Sequence, residues 1–165
     1  MTDTLTDRIE RSIDVRAPRA RVWRALSDPA EFAEWFGIAV SGPFQPGARL
    51  RGTFIGTSVD EEVAQAQKEH VGVSFDLVIE RVEPEQCLAF RWHPGLVEPG
   101  VDYAVEPMTL VEFVLDDTGE GTRVTVVESG FDRIPPARRA KAFSGNNEGW
   151  RIMMGVLLKH LTGGS

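Results

Sequence analysis

Val71, Val73, Phe75, Leu77 and Ile79 alternate with Gly72, Ser74, Asp76, Val78 and Glu80. That period of two predicts a half-buried strand. Arg8 to Val15 shows the same alternation, with Ile9, Ile13 and Val15 on one face. Arg11 falls on that apolar face too. Leu88, Phe90 and Trp92 form the inward face of a further strand, which follows a turn at Glu83-Pro84-Glu85. Val40 to Phe44 and Ala48 to Ile55 read as short strands, separated by Pro43, Pro46 and Gly47. Thr109 to Leu115 and Thr122 to Glu128 pair as a hairpin around Asp116 to Gly121. Asp60 to Glu69 is charged and lacks a period, so it reads as a loop or mobile excursion. Pro94 to Pro107 is a long loop rich in proline and glycine.

Helical spacing appears at three places. Pro18 suits a first turn, and Val22, Trp23 and Leu26 give an apolar stripe behind it. Asp28 is placed to cap a second short helix, with Pro29 at its first position and Glu31 where a capping box wants a carboxylate. That helix carries Phe32, Trp35 and Phe36 and ends at Gly37. Near the end, Trp150, Met153, Met154, Leu157, Leu158 and Leu161 fall on one face of an amphipathic helix. Its pattern starts near Pro136, and Ser144-Gly145-Asn146-Asn147 should kink or break it. The order is thus strand, two short helices, about six strands and a long helix. Short turns imply antiparallel pairing. The fold class is α+β, a curved antiparallel sheet wrapped around a C-terminal helix, with room for a cavity between them.

Composition narrows the function classes. The 165 residues are the length of one domain, expected to span 1–165 with short tails at 1–7 and 163–165. Hydrophobic residues make up 42% and charged residues 26%, which argues against disorder. A net charge of −7 repels phosphate backbones and anionic membranes, so neither nucleic acid nor membrane is an expected partner. Cys87 is the sole cysteine, which removes intrachain disulfides and cysteine-built metal sites. The polar start has no apolar leader, and the longest apolar stretch, Ile152 to Leu158, is far short of a membrane span. The expected location is the cytoplasm. The three histidines are scattered and form no ligand pair, so neither metal nor cofactor is expected. There is no G-x-S-x-G elbow and no phosphate or dinucleotide loop.

Several motifs in order resemble one family. Arg16-Ala-Pro-Arg-Ala-Arg-Val-Trp-Arg-Ala-Leu, Asp28-Pro and Trp35-Phe-Gly look like the opening of the START-like (SRPBCC) superfamily, in its branch similar to the Hsp90 ATPase activator homologues. Val82-Glu-Pro-Glu, Phe90-Arg-Trp92, Gly121-Thr122, Val127-Glu-Ser-Gly-Phe131 and Gly149-Trp150 continue the resemblance over nearly the whole chain. It implies a helix-grip fold with a largely apolar pocket between sheet and long helix. It implies no single activity, since relatives include lipid carriers, hormone receptors and aromatic cyclases. The eukaryotic activator resembles this chain only in its second domain, which sets the expectation against Hsp90 stimulation.

The candidate chemistry follows from which side chains face inward. Glu128 shares a face with Thr122, Val124 and Val126. It is either a pocket carboxylate in need of a partner, with Arg11 as the candidate, or a strand-end residue that reaches solvent. Glu112 is expected outside, opposite Val111, Phe113 and Leu115. His93 stands at the mouth of the long loop, as a general acid or base or as an exposed strand end. His70 and His160 read as surface residues. The aromatics are packed core or cavity wall, and Trp92, Tyr103 and Trp150 are the foremost wall candidates because each joins a flat apolar body to a polar handle. The expected ligand-binding set is Arg11, Trp35, Phe75, Trp92, Tyr103, Met108, Phe113, Glu128, Trp150 and Met154, and Glu128 and His93 are the catalytic candidates. The leading function is a binding module for a small apolar or aromatic molecule. The alternatives are a cyclase- or dehydratase-like enzyme using the same pocket and a co-chaperone-like interaction protein. Exposed strand edges and the loop around Leu96 and Val97 make a homodimer a further expectation.

Overall fold

Strand alternation builds a single seven-stranded sheet of order β1-β7-β6-β5-β4-β3-β2, in a computed structural model that describes residues 8–94 and 106–162. The strands are β1 (Arg8–Val15), β2 (Ile38–Val40), β3 (Arg49–Phe54), β4 (Ser74–Glu83), β5 (Cys87–Trp92), β6 (Thr109–Asp117) and β7 (Thr122–Ser129). Every pairing is antiparallel, as short connections require. The β4–β5 register shifts between Ile79 and Arg81, a bulge of the kind that bends a sheet. The helices are α1 (Arg19–Ser27), α2 (Pro29–Phe36), α3 (Glu61–Gln67) and α4 (Pro136–Leu161).

The core lies between the inner sheet face and α4. Ile9 and Val15 of β1, Phe90 of β5, Val111 and Phe113 of β6, and Val124 and Val126 of β7 meet Trp150, Met154 and Leu157 of α4 there. Each such side chain, fully buried, contributes about 1.5–3 kcal/mol. Glu112 faces outward and pairs with Arg81 at 3.7 Å, so the expected register of β6 holds. The curved antiparallel sheet and long C-terminal helix are as the pattern implied, and the helix-grip architecture is as the resemblance implied.

Several local expectations fail. The strand expected from Val40 to Phe44 is displaced, since β2 is Ile38–Val40 and the chain beyond it carries Pro43 and Pro46, which cannot donate to a ladder. Asp60 to Glu69 is no loop. Asp60 accepts from the Val63 amide at 3.0 Å and caps α3. The helix buries no residue, so it leaves no apolar period to read. The strand expected from Val71 begins at Ser74, and Val71 is exposed. Helix α4 runs unbroken through Ser144 to Asn147. There Asn146 and Asn147 bind Glu128 and Arg11, and those tertiary bonds outweigh weak intrinsic propensity. His160 is not a surface residue. It is largely buried and meets Glu31 at 2.7 Å. Glu31 therefore does not close a capping box; its carboxylate joins α1, α2 and α4 through Arg21, Arg24 and His160. Those contacts outweigh burial and hold it below the ordinary glutamate range.

Candidate functional site

Glu128 is buried completely, at 0% exposure, on the inner face of β7. The period-two alternation puts it there together with Val124 and Val126. Its Oε2 accepts from Trp92 Nε1 at 2.8 Å and from Thr109 Oγ1 at 2.6 Å. Its Oε1 accepts from Trp150 Nε1 at 2.8 Å, and Asn146 Nδ2 reaches both oxygens at 2.9 and 3.0 Å. These donors come from β5, β6 and α4, so one carboxylate ties the sheet to the long helix. Among the described residues, its hydrogen-bond partners are all neutral groups placed to donate. The arrangement suits a carboxylate that only accepts, with its lone pairs filled.

The two indoles held by this carboxylate stack on each other, with centroids 5.8 Å apart and planes at 28°. They form one wall of a cavity of about 230 Å³. Asn146, Gly149, Ile152 and Met153 continue that wall along α4. Phe36 at the end of α2 and Phe54 at the end of β3 face it. Val63, Ala66 and Gln67 of α3 complete it. Gln67 is held at both ends, since its Oε1 accepts from the Thr57 amide at 2.8 Å and its Nε2 donates to the Phe36 carbonyl at 3.0 Å. Gly37 is needed for this docking. Its φ is +83°, and a Cβ there would stand 2.7 Å from Gln67 Oε1. Among the described residues, no charged side chain lines the cavity.

The sequence-derived candidates divide on this geometry. Trp92 and Trp150 lie in the wall. Glu128 lies behind them, so it faces the indole N–H groups and not the cavity. Arg11 does face inward, but its guanidinium donates to Asn147 Oδ1 at 3.1 Å and does not pair with Glu128, whose acceptor sites are already taken. Trp35 is fully buried away from the cavity, its indole donating to the Ala25 carbonyl at 2.8 Å. Phe113 is equally buried and packs edge-on to Trp150 behind the wall. Phe75 supports Trp92 from the side, with ring centroids 6.1 Å apart, and is not a lining residue. Met154 points into the core, and its neighbour Met153 lines the cavity instead. Met108 is half-buried ahead of β6 and does not line it. Tyr103, Leu96 and Val97 fall outside the described residues. His93, just past β5, is half-buried, and burial holds its imidazole below the ordinary histidine range. It is not among the lining side chains.

Four of the lining residues fall where the sequence predicted no regular element. Val63, Ala66 and Gln67 sit on a helix without periodicity, and Asn146 sat in a supposed break. A signal existed for Asn146. It stands one helical turn before Trp150, on the face that meets the sheet.

Among the described residues, no group of three or more His, Cys, Asp or Glu is placed to hold a metal ion, and no helix is long and apolar enough to cross a membrane. No curated protein matches the chain. Among solved structures, a putative protein of the dynemicin biosynthetic locus, DynU16, is similar at 28% identity and a TM-score of 0.66; the match covers 96% of this chain and 48% of that one. This chain thus spans about half the length of that relative. MLL2253 from Mesorhizobium loti is similar in fold at 22% identity and a TM-score of 0.67, over 92% of this chain and 94% of that one. So is the Aha1 dimer from Colwellia psychrerythraea, at 15% identity and a TM-score of 0.65, over 93% and 95%. The family described as Activator of Hsp90 ATPase homolog 1-like protein matches residues 16–162, and the chain belongs to that family.

Proposed function

We propose that this protein is a binding module that holds a small, flat, apolar or aromatic molecule between the sheet and α4. The observation that carries the reading is the cavity itself, about 230 Å³ and walled by Trp92, Trp150, Phe36 and Phe54, with Gln67 and Asn146 as its polar side chains. Apolar walls with a few convergent polar groups are what small-molecule sites are built from. The volume lies below the roughly 300–1,000 Å³ of drug-sized sites, so the ligand is one or two fused rings. The cyclase-like alternative draws on Glu128 and His93. Glu128 is committed to four donors and His93 is no lining residue, so nothing in the geometry favours it over binding.

Gly149 offers a clean test. It lines the cavity from α4, and a Cβ there would meet no atom within 4 Å. Gly149→Leu should fill the cavity and raise stability by about 0.5–1 kcal/mol through helix propensity. Calorimetric titration with 2-naphthylmethanol should show binding to the wild type and at least a tenfold loss in the variant. Equal binding to both proteins would remove the cavity from the account.

Self-association is the second part of the proposal. Strand β1 ends the sheet, and an unpaired edge is a template for a second copy. The Colwellia psychrerythraea structure is of a dimer. Light scattering at twice the chain mass would support this part, and the mass of one chain at high concentration would end it.

A further inference from the structure

Among the described residues the cavity's immediate lining is electrically neutral, yet a carboxylate lies directly behind its most aromatic wall. The distances fix this arrangement. Trp92 Nε1 and Trp150 Nε1 each donate to Glu128 at 2.8 Å, while both rings also line the cavity. Glu128 therefore lies directly behind side chains that line the cavity. The inward cation nearest in sequence register, Arg11, is turned to Asn147 and also interacts with Glu148. Asn146, the remaining wall residue bound to Glu128, offers it a carboxamide. The partners of Glu128 among the described residues are thus neutral dipoles, with no cation among them.

We propose that Glu128 sets the charge preference of the cavity, so that it accepts cationic or electron-poor aromatic molecules and rejects those bearing a carboxylate or phosphate. This deepens the binding reading above and rests on it. Two effects act in the same direction. Direct Coulomb attraction reaches the cavity through protein rather than water, where it is weakly screened by salt. Each indole also gives its N–H to an anion, which pushes electron density towards the ring face, the surface that attracts a cation. A unit charge about 10 Å away at an effective dielectric of about 20 changes affinity by roughly tenfold. The chain's net charge of −7 acts on the same ligands. Surface charge is screened beyond about 8 Å at physiological ionic strength, so removal of Glu128 separates the two sources.

The test uses three probes of one shape, 2-naphthylmethylammonium, 2-naphthylmethanol and 2-naphthoate, titrated calorimetrically at physiological ionic strength. For the wild type, the ammonium should bind at least about tenfold more tightly than the carboxylate. In Glu128→Gln that ratio should fall below about threefold while 2-naphthylmethanol still binds. A carboxylate that binds as well as the ammonium overturns the proposal. So does a folded Glu128→Gln variant that keeps the wild-type ratio. If that variant does not fold, the wild-type ranking decides alone. Failure of all three probes overturns the binding reading; binding of all three with equal affinity overturns only the charge preference.

Discussion

The two sides of the cavity are built in opposite ways. The indole wall rests on β5, β6, β7 and the middle of α4, and its anchor, Glu128, is wholly buried with four donors from three elements. The α3 side buries none of its residues. It is held by the two bonds of Gln67, by the docking at Gly37 and by an ion pair of Lys159 with Asp60 at 3.5 Å. Exposed pairs of that kind add little to stability. One wall is therefore bonded into the sheet and α4, and the other is held by fewer contacts. On the binding reading proposed above, the firmly bonded wall is the recognition surface and the other is the way in.

The largest expected effect comes from the fixed wall. Glu128→Ala strands four donors at once, those of Thr109 and Trp150 fully buried, and should cost at least about 3 kcal/mol in urea denaturation. A cost under about 1 kcal/mol would mean the wall is not tied into the fold.

The Glu31 cluster, away from both walls, serves as a control. Its carboxyl pKa is lowered in the folded state, so the unfolded chain takes up the proton first. The stability it adds is present above the ordinary glutamate value of 4.5 and is lost as pH falls through the lower folded value. Glu31→Gln should cost about 2 kcal/mol at pH 7 and flatten the acid limb of stability against pH, while 2-naphthylmethanol binding stays as in the wild type. A changed affinity would break the separation between this cluster and the cavity.

The smallest effect on stability belongs to the loose wall. Gln67→Ala should lower the unfolding free energy measured in urea by less than about 1 kcal/mol. Hydrogen exchange of residues 60–72 should nevertheless speed up several-fold, with β7 unchanged. Equal slowing or acceleration in both regions would erase the contrast.

The same contrast explains what could be read from the sequence. Strands and the apolar stripe of α4 were legible because burial on one face writes a period into the chain. Trp92 and Trp150 stood out by residue type, and the inward position of Glu128 followed from alternation. Its partners did not. Asn146 and Thr109 meet Glu128 only through tertiary packing, and Arg11, the one visible counter-charge, goes to Asn147 instead. The α3 side left little period because none of its residues is fully buried, so Val63 and Gln67 looked like loop residues. His160 looked exposed because its partner, Glu31, is 129 residues away.

The central claim, that the stacked pair Trp92 and Trp150 is the surface a ligand meets, is open to one direct measurement. The chain has four tryptophans, so its indole N–H groups give a small, separate set of NMR signals. On addition of 2-naphthylmethanol, the signals of Trp92 and Trp150 should move together. The signal of Trp35, whose N–H is held by the Ala25 carbonyl away from the cavity, should stay in place. Movement of Trp35 with Trp92 and Trp150 unmoved would contradict the account.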